Sequence, residues 1–298
     1  MLTTGELALL GRLDLVYRRP QSGLYSGERR SPRSARSPEF SDFRPYVHGD
    51  DFRQVDWRAY ARLERLVLRL YVAEEEACLN LLLDTSASMG LGQPPKWGAA
   101  RRLVAALAFL GLAAMDRVQV GTLGGARLPP LRGRDGVSRA WAFLERLEPE
   151  GRAGPEDLRR QRWTRPGLTV VVSDFLADGA SAGGVEAAEA AAGAWAVPLA
   201  ELASRRQEAV LWQVLAPDEE RPVVSGDVRL VDVESGAARE LTITPGLVDE
   251  YTRALAAHRE GLARVTRAVA GRFAHSTSAD DLEAMMLSGL RVGLVKRG

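Results

Sequence analysis

The sequence has 298 residues, 46% hydrophobic and 27% charged, which is enough to build a substantial core. Its 40 basic and 39 acidic residues give a formal net charge of +1, which argues against electrostatic capture of nucleic acid by the whole chain. All basic residues except Lys96 and Lys296 are arginines, as GC-rich coding or a hot habitat would produce. Cys78 is the single cysteine, which excludes an internal disulfide framework and is typical of a reducing cytoplasm. With no signal-peptide pattern and no apolar run near the ~20 residues of a membrane span, we expect a cytoplasmic protein.

The first 75 residues are predicted to form an N-terminal segment that packs on a main domain over residues 76–298. Thr4–Arg18 repeats apolar residues at helical spacing after a threonine that can act as N-cap, which predicts an amphipathic helix. Residues 21–41 are dominated by glycine, serine, proline and arginine, which predicts an irregular arm. The arginines of this arm could contact RNA or an acidic partner, but a solvated connector is the favoured interpretation.

The end of this N-terminal segment has a denser pattern. Acids and arginines alternate from Arg44 to Arg58, which predicts ion pairs and caps that fix a turn. Asp56 is placed to cap a short helix over Trp57–Leu63. Leu66–Val72 alternates apolar residues with others and predicts a strand.

From Cys78 onward, short apolar segments alternate with helical patterns. The predicted strands are Cys78–Leu83, Asp116–Leu123, Leu168–Val172, Ala209–Leu215 and Arg272–Thr277. The predicted helices are one that begins at Pro95 and those over Val137–Leu147, Glu156–Trp163, Val185–Gln207 (with a proline break), Leu247–Ala270 and Ala279–Leu287. Arg127–Leu131 is predicted as a hairpin or edge strand, and residues 222–246 as a β-hairpin insertion. Continuous apolar strands that alternate with helices predict an α/β fold with a mostly parallel, Rossmann-like sheet and helices on both faces.

One strand end carries a pattern of oxygen ligands. The apolar run Leu79–Leu83 stops at Asp84, and hydroxyls follow two and four residues later at Ser86 and Ser88. Alternate side chains of an extended chain share a face, so these three can converge. Asp174 follows another apolar strand, and ligand sites of such sheets lie at the carboxyl ends of strands. Because carboxylate and hydroxyl oxygens suit magnesium, we predict a metal site of Asp84, Ser86, Ser88 and Asp174.

Other interpretations of these residues stay open. The two carboxylates can instead cap the loops that follow them. An α/β hydrolase or phosphotransferase that uses Asp84 is the alternative function. An aspartyl-phosphate enzyme of the haloacid dehalogenase type needs a second acid at the position of Ser86, and a serine hydrolase needs Gly-x-Ser-x-Gly there. The sequence has no phosphate loop, and its histidines are scattered, with His258 predicted to be solvated.

Two sets of residues resemble known families. Asp84-x-Ser86-x-Ser88 with Ser173-Asp174 resembles the metal-ion-dependent adhesion site of von Willebrand factor A domains. A longer pattern resembles the signature of the bacterial domain of unknown function 58 family. It comprises Arg44-x-Tyr46-x-x-Gly49-Asp50-Asp51-x-Arg53-x-Val55-Asp56-Trp57, then Ala61-Arg62-Leu63, and later Glu234 and Gly236. The longer pattern carries most of the resemblance because it specifies many positions in order.

The resemblance implies a von Willebrand factor A-like domain over residues 76–298. It also implies a protein that is not an enzyme but a metal-dependent interaction module or adaptor. The expected partner is a MoxR-type AAA+ ATPase, with an acidic side chain of the partner completing the coordination of Mg²⁺. The adaptor role would lie in the assembly or activation of other complexes.

The sequence departs from the adhesion-site pattern in one respect. A full site takes a threonine from a loop in the middle of the domain, and the corresponding segment, Pro149–Leu158, contains none. Thr164 and Thr169 lie too close to the next predicted strand to replace it. We therefore expect four protein ligands, with water filling the gap, and weak binding of the metal.

Overall fold

The structure is a computed structural model, and it describes residues 2–17, 22–25, 39–48, 50–52, 55–74, 78–162, 165–176 and 184–298. The chain divides into two compact units. One unit contains residues 19–76, and the other combines residues 1–18 with 77–298. The predicted metal ligands all lie in the larger unit.

The N-terminus forms a shorter helix than the sequence predicts. Helix α1 covers Thr4–Leu10, and strand β1 follows at Leu13–Leu15. Thr3 is the N-cap, in a capping box with Glu6, so the predicted cap at Thr4 and the predicted extension to Arg18 are both wrong. The chain leaves the helix because residues 13–15 pair with the C-terminal strand of the same unit.

In its described residues, the smaller unit contains a three-stranded antiparallel sheet and one α-helix. Its elements are β2 (Ser22–Tyr25), β3 (Glu39–Pro45), α2 (Trp57–Leu63) and β4 (Val67–Glu74), with β4 between the other two strands. The ends of the predicted irregular arm are therefore strands, and residues 26–38 lie outside the described residues. Asp56 accepts hydrogen bonds from the backbone N–H groups of Arg58 and Ala59, which confirms the predicted cap. Arg44 and Asp50 form an ion pair at 2.9 Å, as the alternating charges predict.

The larger unit continues with alternating strands and helices. In chain order they are β5 (Cys78–Leu83), α3 (Lys96–Ala113), β6 (Arg117–Thr122), α4 (Gly133–Arg146), α5 (Pro155–Arg160), β7 (Gly167–Ser173), α6 (Gly184–Gly193), α7 (Ala196–Ser204), β8 (Gln207–Leu215), α8 (Pro217–Glu220), β9 (Gly226–Val231), β10 (Ala238–Ile243), α9 (Pro245–Ala268), β11 (Arg272–Thr277), α10 (Leu282–Arg291) and β12 (Val295–Arg297). The sequence pattern does not predict α8 or β12. It does predict the β9–β10 hairpin, which forms a separate two-stranded antiparallel sheet.

Five parallel strands form the central sheet, in the order β11-β8-β7-β5-β6. Residues 127–131 run antiparallel beside β6 through isolated bridges, which confirms the predicted edge segment. Helices cover both faces of the sheet, and alternate residues of β5 pack into the two apolar clusters on those faces. Leu81 and Leu83 join the cluster that contains Leu103 of α3, whereas Leu82 joins the cluster that contains Leu199 of α7. The predicted α/β class with a mostly parallel sheet is confirmed.

Gly167, at the start of β7, tests how closely the central strands approach each other. A Cβ at this position would lie 2.0 Å from the carbonyl oxygen of Cys78 in the neighbouring strand. We expect Gly167→Ala to lower the free energy of unfolding by about 1–3 kcal/mol, because a backbone oxygen cannot move without distorting the ladder. Urea denaturation measures this effect.

Gly98→Ala is the matched control for this prediction. Gly98 lies inside α3, and a Cβ there would have no neighbouring atom within 4 Å. The control is expected to raise the free energy of unfolding by about 0.5–1 kcal/mol, since alanine is the better helix former. Equal stability of Gly167→Ala and the wild type would contradict the predicted close approach of β5 and β7.

Within the part of the chain that the structure describes, none of the helices is both long enough and apolar enough to cross a membrane.

Candidate metal site at the carboxyl ends of two strands

Asp84 and Asp174 lie side by side, because the strands that precede them are neighbours. Leu83 of β5 pairs in parallel with Val172 of β7, and the N–H of Asp84 donates to the carbonyl of Val172 at 2.8 Å. Only 2% of each aspartate is exposed. The two strand ends thus bring two buried carboxylates to one edge of the sheet.

The hydroxyls of the predicted site lie next to the first of these carboxylates. Asp84 Oδ1 accepts a hydrogen bond from the backbone N–H of Ser86 at 2.7 Å, and Ser173 Oγ donates to Asp84 Oδ2 at 2.5 Å. Ser86 Oγ lies 3.0 Å from Ser88 Oγ. A 3₁₀ turn over Ala87–Gly90 produces this second contact, so the chain is not extended through Ser88 as the sequence analysis assumed.

The environment makes ionisation of Asp84 unfavourable. Burial is the largest cause, and the neighbouring carboxylate of Asp174 adds to it, raising the pKa of Asp84 from 3.8 to about 6. Hydrogen bonds from Ser173 and Ser86 oppose this shift without cancelling it. A positive charge beside the two aspartates would relieve their repulsion.

A lysine supplies one positive charge inside the protein. Lys96, the first residue of α3, is completely buried, and its Nζ contacts Asp174 Oδ2 at 2.7 Å and Glu219 Oε1 at 2.5 Å. Burial disfavours the ammonium, but Asp174 and Glu219 outweigh that effect and raise the pKa of Lys96. Burial raises the pKa of Glu219, although Lys96 acts in the opposite direction. Neither Lys96 nor Glu219 is among the predicted site residues, although a lysine is conspicuous in a chain whose basic residues are nearly all arginine.

The loop that lacks a threonine borders the site as the sequence predicts. The N–H of Ala87 donates to the carbonyl of Gly151 at 3.1 Å, and the N–H of Glu150 donates to the carbonyl of Thr85 at 2.6 Å. Thr169 does not replace the missing ligand, since it lies in the middle of β7 and its hydroxyl bonds to Gln207 at 3.0 Å. Thr164 is outside the described residues.

His258 is buried, so the prediction of a solvated histidine is wrong. Only 2% of the residue is exposed, and its ring nitrogens lie 3.0 Å from the carbonyl of Ala188 and 2.9 Å from the carbonyl of Phe175. Phe175 directly follows Asp174 and has a positive φ of 55°. One ring nitrogen therefore contacts the backbone just beyond the strand end, and the other contacts the backbone of α6.

The donor set fits a hard divalent cation. Two buried carboxylates lie at adjacent strand ends, with Ser86 beside Asp84 and the hydroxyl of Ser88 beside that of Ser86. Carboxylate and hydroxyl oxygens are the ligands that magnesium prefers. Among the described residues, no group of three or more His, Cys, Asp or Glu side chains is placed to hold a metal. Coordination by Asp84 and Asp174 would therefore depend on Ser86, Ser88 and water for the remaining ligands.

These features define an α/β protein with a carboxylate and hydroxyl site at the carboxyl ends of two adjacent parallel strands. The model of the family described as "Protein of unknown function DUF58" matches residues 42–261, and the chain belongs to that family. An uncharacterized protein of Mycobacterium bovis is 33% identical over 278 residues, which are 89% of this chain and 80% of the relative. An uncharacterized protein of Mycobacterium tuberculosis has the same identity and coverage.

Solved structures of two bacterial proteins are similar over most of their length. BatB from Bacteroides thetaiotaomicron is 19% identical, with a TM-score of 0.37 and coverage of 71% of this chain and 95% of that chain. An aerotolerance-related membrane protein from Bacteroides fragilis is 18% identical, with a TM-score of 0.40 and coverage of 72% and 98%.

Proposed function

We propose that this protein is a metal-dependent interaction module of the von Willebrand factor A type. Asp84, Ser86, Ser88 and Asp174 would hold a magnesium ion, and an acidic side chain of a protein partner would complete its coordination. The partner we propose is a MoxR-type AAA+ ATPase, with this protein acting as an adaptor in the assembly or activation of other complexes.

The observation that carries the proposal is the pair of buried carboxylates at adjacent strand ends, with serines next to the first of them. A bound cation would offset the repulsion between Asp84 and Asp174. It would also offer an open position to an oxygen ligand from outside, because the protein supplies fewer ligands than an octahedral ion needs.

The rim of the site also favours an acidic partner. Arg152 follows Gly151, whose carbonyl accepts the hydrogen bond from Ala87. About half of the Arg152 side chain is exposed, and its Nε lies 4.0 Å from Glu234 at the tip of the β9–β10 hairpin. A partner carboxylate that approaches this loop would meet a guanidinium group, which attracts it.

The arrangement supports an interaction module better than a hydrolase or phosphotransferase that uses Asp84. His258 cannot act as a general base toward Asp84, since its ring nitrogens contact backbone carbonyls. A panel of phosphoester and ester substrates tests the enzyme directly, and turnover that Asp84→Asn abolishes would favour it.

The partner test uses two purified proteins, this chain and a MoxR-type AAA+ ATPase of the same organism. We expect binding in Mg²⁺, measured by biolayer interferometry, to weaken at least tenfold with Asp84→Ala, because loss of a charged ligand costs well over 1.4 kcal/mol. Keeping Mg²⁺ and nucleotide constant separates this effect from the ATPase's own need for the metal.

Asp249→Ala is the control for the partner test. Asp249 is an exposed acid on α9, so its removal changes the net charge equally and leaves the strand ends intact. Equal binding by the wild type and Asp84→Ala, or binding that is the same in Mg²⁺ and in chelator, would rule out the proposed function.

A further inference from the structure

Lys96 is unusual for a lysine in three respects. It is completely buried, whereas lysine is almost never fully buried in proteins unless it is paired. It occupies the first position of α3, where the positive end of the helix dipole disfavours a cation. It is also one of two lysines among 40 basic residues. Such a position calls for a compact ammonium, and the surrounding structure has to compensate for its cost.

The contacts of Lys96 join it directly to the candidate metal site. Its Nζ lies 2.7 Å from Asp174 Oδ2, and the second oxygen of Asp174 accepts the backbone N–H of Leu176 at 3.1 Å. On the other side, Glu219 is itself held in place, because its second carboxylate oxygen accepts the N–H of Ala216 at 2.8 Å. The ammonium is therefore fixed between two positioned carboxylates.

The Lys96 ammonium partly neutralises the carboxyl groups around the site. Asp84, Asp174 and Glu219 bring three carboxyl groups together, and Lys96 contributes one positive charge to the two that it contacts. A divalent cation at the strand ends would have to share Asp174 with this ammonium. Repulsion between the two positive charges, over a few ångströms and in a buried place, is large.

We infer that Lys96 is the resident cation of this site and that it lowers the affinity of the site for a divalent metal by holding Asp174. This inference rests on the proposed function, since it concerns regulation of the same metal site. The isolated protein would bind Mg²⁺ weakly, and it would bind the ion well only when a partner contributes further negative charge.

The test measures Mg²⁺ binding by the metal-free full chain, using isothermal titration calorimetry and the rise of Tm with MgCl₂. Lys96→Met keeps the length of the side chain and removes the charge. We expect this variant to bind Mg²⁺ at least about tenfold more tightly than the wild type, because a nearby like charge is removed. In chelator, the Tm of this variant is expected to lie below that of the wild type. Adding Mg²⁺ is expected to raise the Tm of the variant by more than it raises that of the wild type.

Two further variants control the test. Lys96→Met combined with Glu219→Gln removes one charge of each sign. Because the single variant leaves the Glu219 carboxylate without its ammonium partner, the double variant is the safer one for folding. The double variant is expected to bind Mg²⁺ more tightly than the wild type as well. Lys296→Met changes the other lysine of the chain, which is exposed in β12, and should leave Mg²⁺ affinity unchanged.

Several results would overturn the inference. If neither Lys96 variant binds Mg²⁺ more tightly than the wild type does, or if neither binds it at all, the ammonium has only a structural role. The wild type alone is a second test, since a Kd far below ~0.1 mM would contradict a site held by its own lysine. If the partner binds in an Mg²⁺-dependent and Asp84-dependent manner while the Lys96 variants do not bind Mg²⁺ more tightly, only this inference fails. Tighter Mg²⁺ binding by the variants with metal-independent partner binding would refute the proposed function instead.

Discussion

Replacing Arg272 with methionine is expected to lower the free energy of unfolding by about 3–5 kcal/mol, the usual cost of breaking a buried ion pair from one side. Arg272 begins β11, and its guanidinium lies 2.6 Å from Glu208 Oε1 in β8. Both side chains are almost fully buried, at 2% and 4% exposure. The same guanidinium donates to the carbonyls of Gly293 and Val16, so it also connects the central sheet to segments near both ends of the chain.

Urea denaturation of a double-mutant cycle measures this effect. Arg272→Met combined with Glu208→Leu is expected to recover much of the lost stability, because no charge then remains buried without its partner. Arg160→Met, which removes a guanidinium that is 78% exposed, should have little effect. A loss in Arg272→Met no larger than that in Arg160→Met would show that the buried pair contributes little to stability.

Replacing Asp84 with asparagine is expected to stabilise the metal-free protein at neutral pH by about 1–3 kcal/mol, since each unit of pKa shift is worth ~1.4 kcal/mol. The pKa of Asp84 rises from 3.8 to about 6 on folding, first because of burial and then because of Asp174. The folded protein thus binds more protons than the unfolded chain between these values, and wild-type stability falls as pH rises through this window. Asparagine has no such charge, and its amide can still accept from Ser86 and donate to Ser173.

The measurement is the difference in unfolding free energy between Asp84→Asn and the wild type across pH, in chelator. The difference should be largest above pH ~6 and should shrink as pH falls through the window between the two pKa values. It should vanish only below both values, where the wild-type carboxyl is protonated in the folded and the unfolded states. Saturating Mg²⁺ should narrow the difference at neutral pH if the wild type binds the ion. A wild type that is more stable than Asp84→Asn at pH 8 in chelator would contradict the unfavourable ionisation.

Much of the architecture follows from local sequence pattern. The strand Leu79–Leu83, apolar apart from Asn80, and its counterparts identify a parallel sheet, because near-continuous apolar strands are typical of sheets buried on both faces. Asp56 as a helix cap depends on a few neighbouring residues, and the structure confirms it. The N-terminal helix is shorter than predicted because residues 13–15 pair with residues 295–297, and a local pattern carries no information about so distant a partner.

Some residues of the candidate site can likewise be predicted from the sequence, and others cannot. Asp84, Ser86 and Ser88 stand together in the sequence, and Asp174 could be added because parallel strands end at one edge of the sheet. Lys96 and Glu219 could not be added by the same reasoning. Glu219 is 123 residues from Lys96 along the chain. Lysine is rare in this sequence, but its rarity does not say which carboxylates Lys96 contacts, and no local pattern marks Glu219.

The sequence by itself therefore determined the class of fold, the family signature and which carboxylates and hydroxyls follow the strand ends. Each of these depends on the spacing of neighbouring residues or on a general rule of parallel sheets. Only the tertiary structure decided that Asp84 is buried beside Asp174, that His258 is enclosed, and that an ammonium already contacts the site. Those facts depend on which distant segments pack together, and packing decides how each charge is solvated and compensated.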